Sequence, residues 1–539
     1  MMSSLTPGLL SKTSQLVVLT RALSTLPRTH SIAKGKAFVS AGTTTFPITD
    51  CSTGTVIGVT PQSTASELEA AAAGAEAAST AWRMTPPAAR ARVTLKLQAL
   101  IRDNTESLAA IITRENGKTL ADARGDVFRG LEVVEWASGA PSLSLGDCAP
   151  GIGPSMDIVT HREPVGVCGG IFAFNFPAML PLWAFPLANA LGNTYVLKPS
   201  ERAPGAGVAL ALLASSAGLP PDVLNVVHGG PDTVNFLCDS PRIAAVSFVG
   251  SNPGGEHVFH RASAAGKRVQ SNMGAKNIAV VMPDSDAPRT CAALTGAAFG
   301  AAGQRCMALP VIVLVGAAKE HTASLIAAAR RLKIGPGSSI DSDIGPMISR
   351  ESVNRARDIV SRAESMGARV LLDGRAVKPP TGCEKGFWLG PTILHLGDAR
   401  SAEKSPAYLE EIFGPVQCII EVDTLEEAIA IVNRNEWGNG GAIFTASGAS
   451  AHTFATSTRI GNVGINVPVP VPLPVVSFTG NKRSFLGQNN FYGRGGVNFF
   501  TSTRTIVSSW PAPSSTAGGA SAAVHASPLV MPTPGRTEI

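Results

Sequence analysis

The sequence predicts an α/β protein with doubly wound sheets, and two features of the chain carry this prediction. Six short apolar runs follow one another between Val165 and Val315, each bounded by Gly, Pro or a helical stretch, as the buried strands of a parallel sheet are. Helical stretches alternate with these runs. Such alternation favours a sheet with helices packed on its faces.

The individual elements are predicted in order along the chain. The alanine-rich stretch 63–83 is expected to form a first helix that opens with Ser66 and Glu69 as a capping box. Further helices are predicted at 88–116 and 118–138. The predicted strands are Val165–Phe172, Thr194–Leu197, Val223–Val227, Ala244–Val249, Ile278–Val281 and Val311–Val315.

The composition is typical of a soluble globular protein, with 44% hydrophobic and 16% charged residues. The length of 539 residues predicts two or three packed units. The formal net charge is +6, and without Lys12, Arg21 and Arg28 the 45 basic residues become 42 against 39 acidic ones, a net charge of +3. No run of Lys and Arg is interleaved with aromatic residues, so no nucleic-acid partner is expected.

The eight cysteines show no metal-binding pattern. They are scattered, without a CxxC pair or a ligand spacing with histidine, so no metal site is predicted and the thiols are expected to be free in a reducing compartment. The ordinary role of a single cysteine is that of a small buried hydrophobe. A reactive role therefore requires evidence from its neighbours.

The first residues predict an organellar transit peptide, residues 1–31. No Asp or Glu occurs from Met1 to Thr49, while Ser, Thr, Leu and three basic residues alternate through Ser31. A disordered N-terminus without a targeting function is the alternative, and a plastid targeting signal would have a similar composition. The uncharged stretch between Glu163 and Lys198 predicts no membrane span, because its four prolines and three asparagines do not suit a helix in hydrocarbon.

A glycine turn after a predicted strand indicates a pyrophosphate site. The strand Ala244–Val249 leads into Gly250 and Ser251 and then into a helix start. Backbone N–H groups at such a turn can bind a pyrophosphate, and the Ser251 hydroxyl adds a donor. The pattern is not a GxGxxG, and a turn without a ligand is the alternative.

Polar residues after the strand Thr194–Leu197 strengthen the prediction of a dinucleotide site. Lys198, Glu201 and Arg202 follow this strand directly. An acidic residue at this position can accept hydrogen bonds from ribose hydroxyls and repels the additional phosphate of NADP, so NAD is favoured. A surface Lys–Glu pair is the alternative.

Cys306 is the candidate nucleophile. It lies in the segment Phe299-Gly-Ala-Ala-Gly-Gln-Arg-Cys-Met-Ala308, whose small residues allow tight backbone packing. The adjacent Arg305 is expected to lower the pKa of the thiol and favour the thiolate.

Five motifs now identify a resemblance. The segments Phe174–Pro177, Leu197–Glu201, Phe248–Ser251, Gly303–Cys306 and Glu411–Pro415 occur in the order and spacing of the aldehyde dehydrogenase superfamily, and the resemblance spans residues 35–510. It implies a Rossmann-like NAD-binding domain, an α/β catalytic domain and a bridging β-arm used in oligomerisation. The corresponding segments are 32–141 and 163–274 for the NAD domain, 275–470 for the catalytic domain, 142–162 and 482–510 for the arm, and 511–539 for a low-complexity tail.

The resemblance also implies a role for each site residue. The Cys306 thiolate attacks the aldehyde, and the Asn175 carboxamide with the Cys306 backbone N–H forms the oxyanion hole. The NAD-contacting residues implied by the resemblance are Phe172, Phe174, Lys198, Glu201, Arg202, Gly250, Ser251, Glu411 and Phe413.

One position departs from the pattern of hydrolytic members of the superfamily. Where these have a Glu that activates water, this chain has Asn272, and an amide cannot accept a proton at neutral pH. Water should therefore attack the thioester of Cys306 with the acyl group only slowly. The acyl group can then be transferred to the thiol of coenzyme A, which is expected to be a co-substrate. Together with the segment Val467–Pro474, this departure resembles the methylmalonate-semialdehyde dehydrogenase subfamily, which implies valine and thymine catabolism in the mitochondrial matrix.

A substrate of this class has a carboxylate and requires cations. Arg305, beside Cys306, and Arg129, which the resemblance aligns with the substrate tunnel, are the candidates, with Arg124 a weaker one. A solvated helix face is the alternative for each. The resemblance further implies a homotetramer, a dimer of dimers.

Two rival functions stay open at this point. A hydrolytic NAD-dependent dehydrogenase of another carboxylated semialdehyde predicts turnover without coenzyme A. A non-catalytic scaffold with the same fold predicts no NADH formation, and the presence of both Cys306 and Asn175 argues against it.

Overall fold

The computed structural model describes residues 28–153 and 155–510. The predicted transit peptide up to residue 27 and the predicted tail 511–539 lie outside the described residues. Residues 28–31 belong to the fold: the Arg28 guanidinium donates to the carbonyls of Ser40 and Gly42 at 3.4 and 3.3 Å, and a strand begins at His30. A transit segment that ended at residue 31 would remove half of this strand.

The described strands form five sheets. Numbered in chain order, they are β1 His30–Ala33, β2 Lys36–Val39, β3 Thr45–Asp50, β4 Thr55–Pro61, β5 Cys148–Gly153, β6 Met156–Pro164, β7 Val167–Phe172, β8 Thr194–Lys198, β9 Leu224–Val226, β10 Ile243–Val249, β11 Arg268–Asn272, β12 Ile278–Val281, β13 Val311–Val315, β14 Arg369–Leu372, β15 Thr392–His395, β16 Val416–Val422, β17 Trp437–Gly438, β18 Gly440–Phe444, β19 Asn462–Ile465, β20 Asn481–Lys482, β21 Phe485–Gly487 and β22 Thr501–Ser509.

The first large sheet has eight strands in the order β2-β1-β9-β8-β7-β10-β11-β21. The five strands from β9 to β11 are parallel. On one side β21 pairs with β11 antiparallel, and on the other β1 pairs antiparallel with both β9 and β2. Side chains of this sheet alternate between two hydrophobic cores. Cys168, Tyr195 and Leu197 pack into the first core, on one face, and Val167 and Val196 pack into another core, on the opposite face. Burial on both faces confirms the doubly wound arrangement predicted from the apolar runs.

The second large sheet has seven strands in the order β14-β15-β16-β13-β12-β18-β19. All neighbours are parallel except β14 and β15. Its central strands β12 and β13 are fully buried and have the bounds that the apolar runs predicted.

A third sheet, β22-β6-β5, forms a separate arm. The long strands β22 and β6 pair over nine residues each, from Thr501 opposite Pro164 to Ser509 opposite Met156. The predicted arm segment 482–510 contributes only β22 to this sheet. Within that segment, β21 extends the eight-stranded sheet, and the helix Gly493–Phe500 packs into the first core because its apolar face is buried there.

The described α-helices of eight or more residues are Ala65–Met84, Pro87–Asp103, Thr105–Asn116, Leu120–Ala137, Gly205–Ser216, Pro231–Asp239, Asn252–Ala264, Ala287–Phe299, His321–Arg330, Arg350–Ser365, Leu425–Arg434, Gly448–Ser457 and Gly493–Phe500. Shorter ones are Ala140–Leu143, Met179–Leu182, Phe185–Ala190, Ala399–Ala402 and Pro406–Leu409. None of the helices in the described part of the chain is long and apolar enough to cross a membrane.

Two helix predictions need correction. The capping box of the first helix is Thr64 with Glu67 and not Ser66 with Glu69: Thr64 Oγ1 accepts from the Glu67 N–H at 3.2 Å, and the Glu67 carboxylate accepts from the Thr64 N–H at 2.8 Å. The predicted helix 88–116 is two helices. Asn104 separates them, because its side-chain amide donates to the Leu100 carbonyl at 2.7 Å and so competes with continued helix.

Candidate active site

A cavity of about 550 Å³ lies at the carboxyl ends of the strands of the eight-stranded sheet. The residues that follow β7, β10 and β11 line one side, and Cys306 with the segment 409–413 lines the other. This edge of a parallel sheet is where doubly wound proteins bind dinucleotides. The lining residues are Ala173, Phe174, Asn175, Val249, Gly250, Ser251, Asn252, Pro253, Met273, Gly274, Cys306, Ser352, Arg355, Leu409, Glu410, Glu411, Ile412, Phe413, Glu436, Trp437 and Arg483.

Cys306 follows a tight left-handed turn. Ala301, Ala302 and Gly303 all have positive φ, at 50°, 53° and 69°. Each alanine in this conformation costs about 1–2 kcal/mol, so the surrounding contacts must stabilise the turn. A side chain at position 303 is excluded, because a Cβ there would lie 2.2 Å from the Gly414 carbonyl oxygen.

The electrostatic surroundings of the thiol differ from the sequence prediction. Burial raises the pKa of the Cys306 thiol to about 12, and the Glu411 carboxylate adds to this rise. The backbone N–H groups of Cys306 and Met307 act in the opposite direction, and Arg305 has the smallest effect of all. Arg305 thus lowers the pKa of the Cys306 thiol in the predicted direction, but burial and Glu411 outweigh its effect.

Arg305 has little effect because its side chain is engaged elsewhere. Its guanidinium forms an ion pair with Asp122 and donates to the Gly296 carbonyl at 3.4 Å. It lies close over Gly300, where a Cβ would come within 2.6 Å of it. The Arg305 side chain is absent from the residues described as lining the cavity.

Asn175 lines the same cavity as Cys306, and hydrogen bonds to both its side chain and its backbone fix its position. One N–H of its carboxamide donates to the Gln304 carbonyl at 3.1 Å, and the other has no partner among the described residues. The backbone carbonyl of Asn175 accepts from the Lys118 ammonium, which also pairs with Asp126 at 3.2 Å. The second N–H is thus free to donate to a substrate oxygen next to the thiol.

The helix Leu120–Ala137 connects both halves of this centre. Asp122, in its first turn, accepts from the Ala301 N–H at 3.0 Å and so stabilises the left-handed turn before Cys306. Asp126, one turn later, accepts from the Met179 N–H at 2.8 Å and pairs with Lys118 behind Asn175. Residues at i and i+4 share one helix face. One face therefore supports both the thiol and the carboxamide.

The predicted pyrophosphate turn has the geometry of a cradle. Gly250 and Ser251 lie between β10 and the helix Asn252–Ala264, with Ser251 as the N-cap residue. A Cβ on Gly250 would lie 2.6 Å from the Phe248 ring, so only glycine allows close approach of the backbone there. An N-terminal helix end that opens into a cavity suits a pyrophosphate.

Lys198 and Glu201 lie at the same sheet edge, one strand further along. The buried Lys198 ammonium pairs with Glu201 at 3.3 Å, and burial lowers the pKa of Lys198. Neither residue is among those described as lining the cavity. Arg202 is exposed, and Phe172 is buried in the first core. Neither side chain lines the cavity.

Glu411 and Phe413 form the opposite wall of the cavity. The Glu411 carboxylate accepts from the Ala275 N–H at 2.8 Å, and burial raises its pKa. Phe413 has a positive φ of 55°, and its ring meets the ring of Phe174 edge-on at 6.1 Å. The Arg355 guanidinium fixes this wall by donating to the carbonyls of Glu411 and Ile412 at 2.6 and 3.1 Å.

The predicted carboxylate ligands are each paired with a carboxylate of the protein in this structure. Arg129 lies on the helix Leu120–Ala137 and pairs with Glu132 at 2.9 Å. Arg305 pairs with Asp122, and Arg124 forms an exposed bidentate pair with Glu106 at 2.8 Å. Each of these three guanidinium groups has a carboxylate partner.

Several residues of this site were not found from the sequence. They are Lys118, Asp122 and Asp126 behind the site, Arg355 at the wall, and Asn277 with Asn439 beneath Cys306. The spacing of Asp122 and Asp126 at i and i+4 on a predicted helix was a usable signal. The others are distant from Cys306 in sequence and had none.

The geometry fits NAD, since the glycine cradle, the wall at Glu411 and Phe413 and the thiol share one cavity. A family model described as the aldehyde dehydrogenase family matches residues 38–506. The chain belongs to the aldehyde dehydrogenase family. The family resemblance and the fold predicted from the sequence are thereby confirmed.

Curated relatives of this aldehyde dehydrogenase share about half of its residues. The mitochondrial methylmalonate-semialdehyde dehydrogenase [acylating] of Arabidopsis thaliana is 50% identical over 484 residues, which cover 90% of this chain and 79% of the relative. The mitochondrial methylmalonate-semialdehyde/malonate-semialdehyde dehydrogenase [acylating] of Homo sapiens is 48% identical over 513 residues, which cover 95% and 94%.

Solved structures give the same picture. A crystal structure from Sinorhizobium meliloti 1021, described as a methylmalonate-semialdehyde dehydrogenase complexed with NAD, has a TM-score of 0.89 at 40% identity and covers 91% of this chain and 99% of its own. The methylmalonate-semialdehyde dehydrogenase of Oceanimonas doudoroffii has a TM-score of 0.87 at 40% identity, with 90% and 98% covered.

Proposed function

We propose that this aldehyde dehydrogenase oxidises methylmalonate semialdehyde and malonate semialdehyde and transfers the acyl group to coenzyme A, with NAD as the oxidant. One observation carries the proposal: the Cys306 thiol and the Asn175 carboxamide share a dinucleotide cavity, while the nearby position 272 has an amide in place of a base. Relatives that are 40–50% identical and are named as dehydrogenases of methylmalonate semialdehyde, or of methylmalonate and malonate semialdehydes, support it.

In the proposed reaction the Cys306 thiolate attacks the aldehyde carbon. The developing oxyanion accepts hydrogen bonds from the free N–H of Asn175 and from the backbone N–H of Cys306. Bound NAD supplies the oxidising chemistry by accepting the hydride. Cys306 is then left as a thioester.

Asn272 favours transfer of the acyl group to a thiol. It is buried, and its side-chain nitrogen has no partner among the described residues. An amide cannot take a proton from water at neutral pH, so hydrolysis of the Cys306 thioester lacks a base at this position. The coenzyme A thiolate attacks instead and releases Cys306 as the leaving group.

The carboxylate of the substrate explains the loss of carbon dioxide. A β-carboxy thioester can lose carbon dioxide and leave an enolate, which takes up the proton released by the coenzyme A thiol. Methylmalonate semialdehyde thus yields propionyl-CoA, carbon dioxide and NADH, and malonate semialdehyde yields acetyl-CoA. Arg129 and Arg305 remain the proposed carboxylate ligands, and substrate must displace Glu132 and Asp122 from them.

The remaining proposals concern place and assembly. The N-terminal segment lacks acidic residues up to Thr49, and relatives are named as mitochondrial, which supports import into the mitochondrial matrix. The proposed substrates support a role in valine and thymine catabolism. The three-stranded arm supports assembly into a homotetramer through β22, which is an edge strand with exposed Ile506 and Val507.

The test is NADH formation from malonate semialdehyde and NAD, with and without coenzyme A, with identification of the acyl product. Steady turnover that requires coenzyme A and yields acetyl-CoA is the expected result. Equally fast formation of a free acid without coenzyme A would show hydrolytic chemistry. Cys306→Ser is expected to retain NAD binding and lose NADH formation, and activity in this variant would refute the role of Cys306.

A further inference from the structure

The carbonyl of Cys306 is held by two buried side-chain amides. Asn277 Nδ2 donates to it at 2.9 Å, and Asn439 Nδ2 donates to it at 3.1 Å. Both asparagines come from the seven-stranded sheet region, next to β12 and β18, and both are almost completely buried. A carbonyl oxygen has two lone pairs, so this one is saturated.

Both amides are themselves fixed. Asn277 uses its second N–H on the Ala308 carbonyl at 2.8 Å, and its Oδ1 accepts from the Gly440 N–H at 3.0 Å. Asn439 uses its second N–H on the Met307 sulfur at 3.1 Å, and its backbone carbonyl accepts from the side chain of Asn462 at 3.0 Å. Neither amide can rotate without loss of several buried hydrogen bonds.

We propose that Asn277 and Asn439 are positioning residues that lock the Cys306–Met307 peptide group so that its N–H faces the thiol. The proposal rests on the role of Cys306 as the nucleophile. The Met307 N–H belongs to the same peptide group as the Cys306 carbonyl, and it acts to lower the pKa of the Cys306 thiol against the effect of burial. A peptide plane is rigid, so a fixed carbonyl also fixes the N–H at its other end.

The two donors also strengthen this N–H. Hydrogen bonds to a carbonyl polarise the peptide group, and the polarised N–H becomes a better donor. The thiolate depends on such dipoles because the adjacent Arg305 cation is directed to Asp122. Asn277 and Asn439 therefore act on reactivity through the backbone and do not touch the substrate.

The experiment compares Asn277→Leu, Asn439→Leu and the double variant with the wild-type protein. Leucine has the same branching and number of heavy atoms as asparagine but is larger and has no N–H donors. The readout is the rate constant of Cys306 alkylation by iodoacetamide at a fixed pH of about 8 in the presence of NAD, with Cys306→Ser to identify the signal. Each variant is expected to lower this rate about tenfold, because a thiol titrating above the assay pH loses about tenfold in thiolate for each unit by which its pKa rises, with NAD affinity unchanged and kcat reduced more than KM is changed.

Asn225→Leu is the matched control. Asn225 is a fully buried asparagine whose Nδ2 donates to the carbonyls of Ala71 and Asp222, and its Oδ1, like that of Asn439, has no partner among the described residues. It lies in β9, away from Cys306. The alkylation rate should not change in this variant, because Asn225 makes no contact with Cys306. A fall in the control equal to that in the Asn277 and Asn439 variants would show a general effect of a lost buried amide and would overturn the inference.

Asn277→Asp covers the case in which leucine prevents folding. Aspartate keeps the shape and the acceptor for the Gly440 N–H but removes both donors and adds a negative charge, so the alkylation rate should fall at least as far. An unchanged alkylation rate in folded variants that bind NAD would overturn the inference. If Cys306→Ser keeps its activity, the proposed function fails instead, and the two failures are distinguishable.

Discussion

Asp122 and Arg305 form an ion pair that directs the guanidinium away from the thiol of the adjacent Cys306. The same carboxylate accepts from the Ala301 N–H at 3.0 Å. One side chain thus stabilises the left-handed turn and keeps the neighbouring cation outside the cavity.

Asp122→Asn is expected to lower kcat for a neutral aldehyde such as propionaldehyde. Asparagine keeps an oxygen acceptor but loses the charge, and a charge-assisted hydrogen bond contributes about 1.5–3 kcal/mol against about 1 kcal/mol for a neutral one. The weakened turn should therefore reduce the rate by about tenfold. A neutral substrate is chosen because it does not require Arg305. The control is Glu106→Gln, which breaks the exposed pair with Arg124. Equal rates in both variants would contradict the role of Asp122.

Removal of one partner from the buried pair of Lys118 and Asp126 should destabilise the protein strongly. Both side chains are almost inaccessible to solvent, and an unpaired buried charge costs about 3–5 kcal/mol. Lys118→Met is therefore expected to lower the urea midpoint far more than Arg261→Gln, which breaks an exposed pair with Asp239.

The double variant Lys118→Met/Asp126→Leu separates charge from packing. It should regain part of the stability lost in Lys118→Met, because no unpaired charge remains although the buried Met179 N–H loses its acceptor. It should nevertheless remain slow in NADH formation, since the Asn175 carbonyl has lost its donor. Wild-type kcat in the double variant would argue against a positioning role for Lys118.

Gly303→Ala should remove most activity while the NAD side of the cavity stays intact. Gly303 lies three residues before Cys306, and the added Cβ would lie 2.2 Å from the Gly414 carbonyl oxygen. Gly382→Ala is the matched control: its φ of 79° is similar to the 69° of Gly303, but no atom lies within 4 Å of the added Cβ. If both variants lose activity equally, backbone strain and not the clash is responsible.

The buried Lys276 predicts a pH dependence of stability. Burial lowers its pKa from 10.5 to about 8, so between these values the unfolded chain binds the proton and the folded chain does not. The free energy of unfolding should therefore rise with pH across this window, by up to about 1.4 kcal/mol per pH unit. Urea unfolding from pH 7 to pH 10 measures this slope.

Lys276→Met should lose this component of the slope. The half-exposed Lys319, which pairs with Asp423, provides the comparison variant Lys319→Met. A slope in Lys276→Met that matches the wild-type slope would show that other groups cause the dependence.

Much of the fold could be predicted because buried parallel strands are visible in sequence as apolar runs. Ile278–Val281 and Val311–Val315 have the predicted bounds, since every side chain in them is buried. The first capping box was misplaced because the sequence offers two solutions two residues apart. The structure selects Glu67, whose carboxylate also accepts from the Ser40 hydroxyl and the Ala41 N–H, and such tertiary contacts have no local signal.

The sequence predicted several residues that the structure brings into one cavity, but not the residues that support them. Cys306 and Asn175 lie together, and Gly250, Ser251, Glu411, Phe413 and Phe174 line the same cavity. The direction of the Arg305 side chain could not be predicted, because its partner Asp122 is 183 residues away in sequence. Adjacency along the chain says little about which way a charged side chain points.

The helix Leu120–Ala137 has a mechanical consequence. With a rise of about 1.5 Å per residue, its two carboxylates are separated by about 6 Å along the axis. Asp122 is linked to the turn before Cys306, and Asp126 to the loop after Asn175. A stiff helix, and not the loops themselves, thereby sets the spacing between the thiol and the carboxamide, so thermal motion of the surrounding loops should move these two groups together.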